Sequence, residues 1–134
     1  MEKSVRQIEV PDVARIVELN RDLVGSYGGQ YVGVDNLRSR ESLENTLYLI
    51  ENEVFGVNQF PTLKEKASAL GECIIARHVF WDGNKRTGVL AAWMLLDNNG
   101  VNVNLDASVE DLAVNIASGE AGFNEMLDWL HQHQ

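Results

Sequence analysis

The chain has one cysteine, Cys73, in 134 residues. A single thiol excludes an internal disulfide and a thiolate-built structural zinc site, and it predicts a reducing compartment. No apolar run approaches the roughly 20 residues that span a bilayer, and the opening MEKSVRQIEV is mixed and charged, unlike a secretory leader. Together these predict a cytoplasmic protein. Repeats, low-complexity tracts and a Gly-x-x-x-x-Gly-Lys-[Ser/Thr] phosphate loop are all missing. Cations are missing from one region: residues 1–86 hold all 11 Lys and Arg against 13 acids, and residues 87–134 hold 7 acids and no Lys or Arg. An overall charge of −9 repels phosphate backbones and argues against general nucleic-acid binding, yet leaves room for a small cationic site.

What is present is helical periodicity in a chain 45% apolar, enough for one packed core over residues 1–134. Pro11 and Asp12 suit a first helical turn; Val13, Ile16, Val17 and Val24 then share a face that Gly25 and Gly28-Gly29 should interrupt. A second helix is predicted over Arg40–Ile50 on Leu43, Leu47 and Ile50. The Gly-rich GSYGGQYVG between the two reads as a loop, and NEVFGVNQFP reads as a short hairpin or flap. Thr62 and Glu65 have capping-box spacing, so a third helix should run from Thr62 toward His78. A strongly apolar fourth helix follows from about Asn84 and stops near Gly100. Residues 101–105, VNVNL, alternate like a short strand; Ser108 with Asp111 can cap a fifth helix, and Phe123, Met126, Leu127 and Leu130 mark a sixth. The predicted class is all-α, a compact bundle around the fourth helix.

The chemistry gathers at residues 78–88, HVFWDGNKRTG, a loop that ends in a helix amino terminus. Unpaired N–H groups and the positive end of the helix dipole favour an anion there, and phosphate is the usual one. Gly83 can take positive φ and turn successive N–H groups inward, while Lys85 and Arg86 add a point charge and a bidentate fork. His78 is suited to take a proton from a hydroxyl near neutral pH. Asp82 can hold Mg²⁺, which prefers one or two carboxylates with phosphate oxygens and water. A base, a metal carboxylate and an anion cradle are the parts of phosphoryl or nucleotidyl transfer. Plainer readings exist for each: a helix-end histidine balancing a dipole, Phe80 and Trp81 as core wedges, Asp-Gly-Asn as a turn, Lys-Arg as a solvated face. Cys73 reads as a small buried apolar residue, and His131 and His133 as exposed tail residues.

The order His78, Phe80, Asp82, Gly83, Asn84, Lys85, Arg86 resembles the signature of the Fic/Doc superfamily, in detail its Doc (death-on-curing) branch. LVGSYGGQYVG, RSRESLENTL and the chain length also resemble the small single-domain toxins of that branch. The resemblance implies a mostly helical Fic fold, with the motif loop between two central helices, and transfer of part of ATP to a hydroxyl of a target protein. It also implies roles: His78 as general base, Asp82 engaging Mg²⁺, Gly83, Asn84, Lys85 and Arg86 holding phosphates, and Phe80 anchoring the loop. AMP-transferring members typically read HPFxxGNGRxxR, whereas here Val79, Lys85 and Val89 stand at the Pro, second Gly and last Arg positions. The Doc branch shares the Asn-Lys-Arg-Thr run. By resemblance, the chain is then a toxin kinase that phosphorylates a threonine of elongation factor Tu. An antitoxin segment covering the site would inhibit it, and residues 52–61 with the surrounding surface would recognise the target.

Gly83 stands where Doc members can carry alanine, which keeps AMP transfer as an alternative; a non-catalytic, partner-binding helical module is another. Some Fic proteins carry an inhibitory [Ser/Thr]xxxGlu[Gly/Asn]. Glu44-Asn45 matches its last two positions, but Arg40 stands at its first, so no built-in inhibitor is expected.

Overall fold

The computed structural model describes residues 8–134, so most of the charged opening segment lies outside the described residues. Thr62 accepts from the Glu65 N–H while Glu65 accepts from the Thr62 N–H, a complete capping box. It starts α3 (Leu63–Ala76), which packs along its length against α4 (Asn84–Asn98) as the central pair. α1 (Val13–Tyr27) covers α4; α2 (Arg40–Glu51) and α6 (Phe123–Gln132) cover α3; α5 (Ser108–Ser118) touches both. The hairpin is present, with β1 (Glu53–Val54) pairing β2 (Val57–Asn58) antiparallel, Val54 opposite Val57. The architecture is the all-α bundle expected. Among the described residues, no helix is long and apolar enough to cross a membrane.

The close approach of α3 and α4 depends on Gly71 and Gly88. A Cβ on Gly88 would lie 2.8 Å from the Gly71 carbonyl and 2.5 Å from Ile75, so any side chain there would push the helices apart. The core on both sides is Leu70, Ile74, Ile75, Leu95 and Leu96, all fully buried. Cys73 is also buried, and burial pushes its thiol pKa up, as for an inert apolar residue.

Four local expectations are corrected. Gly25 does not interrupt α1, because it sits exposed on the helix's outer side; the chain turns only at Gly28 (φ 88°), whose N–H bonds the Val24 carbonyl. Residues 101–105 form no strand: the Val101 N–H is taken by Leu96 and the Val103 carbonyl by the Trp93 indole, which leaves no ladder to join. Ser108 does not cap α5 but is its first residue, and the Asp106 carboxylate accepts from both the Ser108 N–H and hydroxyl. His133 is half-buried rather than free in the tail. It stacks on Trp129 at 3.8 Å and reaches the Trp129 carbonyl and the Asp106 carboxylate, tying α6 to the start of α5.

Candidate active site

Helix α3 ends in a Schellman turn: the His78 N–H bonds the Ile75 carbonyl and the Val79 N–H the Ile74 carbonyl. The residue in the left-handed position of that turn is usually glycine, but here it is His78, at φ 49°. Its side chain is exposed, with Nδ1 3.3 Å from the Ala76 carbonyl. A carbonyl only accepts, so this contact places the neutral ring's proton on Nδ1 and leaves Nε2 as the proton acceptor of an exposed ring. Val79 and Phe80 then plunge fully into the core, and Phe80 forms a backbone bridge with Leu37.

The Asn84 amide holds both backbone groups of Phe80, accepting from its N–H at 2.9 Å and donating to its carbonyl at 2.8 Å. That side chain shapes the loop, so what Asn84 offers a phosphate is its backbone N–H. Gly83, at φ 81°, opens α4 with no side-chain cap, leaving the N–H groups of Asn84, Lys85 and Arg86 without acceptors inside the helix. The close neighbour that forbids a side chain at Gly83 is Asn20: a Cβ would lie 2.9 Å from its amide nitrogen. Lys85 and Arg86 are exposed and, among the described residues, form no ion pair; the Arg86 guanidinium lies over the Tyr27 ring at 4.3 Å.

The Asp82 carboxylate accepts from the Gln30 N–H at 2.9 Å and the Gly83 N–H at 2.8 Å. These two bonds, the Gln30 one foremost, hold its pKa below the usual carboxylate value. Asp82 therefore stays ionised with lone pairs to spare, a single hard oxygen donor suited to a Mg²⁺ ion completed by phosphates and water. A group with a depressed folded pKa contributes stability above its unfolded value of about 4, and that contribution is lost as pH falls through the folded value. Asp82→Asn should accordingly show a smaller fall in Tm than the parent between about pH 5 and pH 3. An equal fall in both proteins would count against the two N–H bonds.

A buried relay that the sequence did not reveal stands behind the loop. The Asn20 amide donates to the Asp82 carbonyl at 2.9 Å and the Thr87 hydroxyl at 3.0 Å, and its oxygen accepts from Asn36 at 3.0 Å. Asn36, at φ 59°, also accepts from the Val32 N–H, while its carbonyl takes the Trp81 N–H. All three side chains are fully buried. Their trace in the sequence is slight: Asn20 is the polar member of the apolar stripe Ile16, Val17, Val24. The segment lying against the motif is thus 28–37, through Gln30, Asn36 and Leu37, and not the hairpin, which is tied to the opposite end of α3 through Lys66.

His78, Asp82, Gly83, Asn84, Lys85 and Arg86 all line one open groove of about 610 Å³ between α1, α4 and α5. Its other walls carry exposed apolar residues, Tyr27, Trp81, Leu105 and Val114. Glu44 lies elsewhere, exposed on α2 and 3.6 Å from Arg40.

Residues 11–96, from the start of α1 to near the end of α4, match the family described as Fic/DOC. Toxin Doc of Mycolicibacterium smegmatis is 38% identical over 76 residues, a match covering 54% of this chain and 58% of that protein. The matched part thus falls short of two thirds of the relative's length. The matched residues include the whole His78–Arg86 turn, the relay behind it and the helices that frame both, and the chain belongs to the Fic/DOC family.

Proposed function

We propose that the chain is a Doc-like toxin that moves the γ-phosphate of ATP to a Ser or Thr hydroxyl of a target protein, elongation factor Tu being the target the branch suggests. The observation that carries this is the exposed His78 ring, its Nδ1 turned to the Ala76 carbonyl, in the same groove as three uncapped N–H groups and two cations without an ion pair. His78 takes the acceptor's proton as its oxygen bonds to phosphorus and the bond from phosphorus to the leaving ADP oxygen breaks. The N–H groups of residues 84–86, with Lys85 and Arg86, hold the phosphates in line. Asp82 would hold Mg²⁺, which when bound would supply charge neutralisation for the phosphates.

Two features support inhibition by an antitoxin. The groove has an apolar wall of Leu105 and Val114 that a partner helix can cover, and residues 87–134 carry seven acids with no cation to oppose a basic segment. AMP transfer is the second reading, favoured by Gly83, whose positive φ and lack of space for a Cβ give the loop the glycine of the AMP-transferring pattern.

ATP labelled at the α or γ phosphate, incubated with the chain, Mg²⁺ and a bacterial lysate, separates these. Label from γ alone on a protein is the expected result; label from α alone assigns AMP transfer. No label from either, together with no rise in Tm on adding Mg-ATP, leaves a partner-binding module.

A further inference from the structure

A second cavity, of about 380 Å³, opens between α2 and α3 and shares no lining residue with the motif groove. It has two unlike ends. Phe60 and Phe123, ring centroids 5.7 Å apart, mark the first: the Phe60 carbonyl is held by Lys66 and the Phe123 carbonyl by Ser68, both in the first two turns of α3. With Leu49 and Ala69, that end is apolar. Arg77 and Ser42 mark the other end: Arg77 is the C-cap of α3, and the Ser42 carbonyl accepts from the Cys73 thiol at 3.5 Å. Glu72 lies between the two ends along α3.

The two charges set the chemistry of this cavity. Glu72 is half-buried, and loss of water pushes its carboxyl pKa up, with the Arg77 guanidinium opposing that in part. Neither residue joins an ion pair among the described residues. Pairing partners on a helix stand three or four residues apart; Glu72 and Arg77 stand five apart, about 7.5 Å along the axis. A carboxylate and a guanidinium thus line one cavity without neutralising each other by contact. Desolvating an unpaired carboxylate works against stability unless something supplies the opposite charge.

Ligand chemistry follows from the pair. A phosphate or a simple carboxylate would satisfy Arg77 and be repelled by Glu72; an amine would do the reverse; a neutral molecule would leave both charges without a partner. A zwitterion satisfies both. In an α-amino acid the ammonium and carboxylate share one carbon, and charge-assisted hydrogen bonds of about 2.8 Å on each side bridge a gap of this order. With its carboxylate toward Arg77 and its ammonium toward Glu72, such a molecule would lay its side chain against Phe60, Phe123 and Leu49. We propose that this cavity binds a free α-amino acid with a large apolar side chain, held by Glu72 and Arg77. The size suits it, since small-molecule pockets begin at about 300 Å³. Neither charge lines the motif groove, so binding needs no ATP and no acceptor protein.

Melting the purified chain with L-phenylalanine or L-leucine tests this. A ligand that binds only the folded state raises Tm, and about 10 mM of one with a Kd near 1 mM should raise it by several degrees. Phenylpropionate, which lacks the ammonium, and phenethylamine, which lacks the carboxylate, should each bind at least tenfold more weakly. Glu72→Gln keeps the shape and removes the charge. Without ligand its Tm should equal or exceed the parent's, because no half-buried carboxylate remains to be desolvated, while its affinity for L-phenylalanine should fall about tenfold. Arg77→Gln should lose affinity to a similar degree. The site is overturned by the absence of a saturable rise in Tm with either amino acid, by equal binding of the two one-charge analogues, or by undiminished binding to Glu72→Gln.

Discussion

His78→Ala is expected to lower the rate of group transfer by about a hundred- to ten-thousandfold, the range over which a positioned general base contributes. Binding of Mg-ATP should persist in the variant, because the proposed phosphate holders are the backbone N–H groups of residues 84–86 with Lys85 and Arg86, and the hydrogen bond of the His78 ring goes elsewhere, to the Ala76 carbonyl. The same position carries a cost in stability that separates chemistry from folding. His78 occupies the left-handed site of a Schellman turn, where any Cβ is disfavoured by about 1–2 kcal/mol. Alanine keeps that penalty and glycine removes it. His78→Gly should therefore be as inactive as His78→Ala yet melt at a higher temperature. Such a pair would mark a backbone strain kept at the site where the proton moves. Transfer within twofold of the parent in either variant would remove His78 from the mechanism.

Much of this site was legible in the sequence because its parts are local. The carboxylate, glycine and cations of residues 82–86 must share a turn, and the capping box at Thr62–Glu65 phases α3 so that it delivers His78 to that turn. The long helices announced themselves by their stripes; Leu43, Leu47 and Ile50 are buried as expected. What was hidden depends on distant partners. Asn20 meets Asp82 and Thr87 across more than sixty residues, and no spacing rule reports that. Asn84 was read through resemblance as a phosphate holder, but its amide is occupied by Phe80, four residues back, a use only the folded loop reveals. Residues 101–105 have a strand's alternation, which reports a half-buried surface and not the presence of a second strand to pair with. The hairpin was correctly located, but its distance from His78 follows from the antiparallel packing of α2 on α3, a tertiary fact.

The relay behind the loop is where a single side chain should matter most to the fold. Asn20→Leu keeps roughly the volume but leaves the Thr87 hydroxyl and an Asn36 N–H short of partners, and the Asp82 carbonyl with only the longer 3.4 Å bond from Asn36. Each unsatisfied buried group costs about 1–3 kcal/mol, so a loss of about 3 kcal/mol is expected. That is a large share of the roughly 5–15 kcal/mol of a whole domain, and Tm should fall by about 10 °C. Asn20→Asp tests the direction of the hydrogen bonds. Its carboxyl would replace a donor with an acceptor facing the Asp82 carbonyl, in a place fully shielded from water. Only the protonated acid can donate there, so its folded pKa must lie above the ordinary value of about 4. A raised folded pKa means the stabilising form is fully present below the unfolded value and is lost as pH rises through the folded one. The Tm difference between Asn20→Asp and the parent should therefore be smallest near pH 4 and widen toward pH 8. The parent itself moves the other way, since Asp82 is most stabilising when ionised. A gap that stays constant across that range would mean that Asn20 does not donate to the Asp82 carbonyl and that the motif turn is held without it, by the Asn84 and Asp82 side chains and by packing.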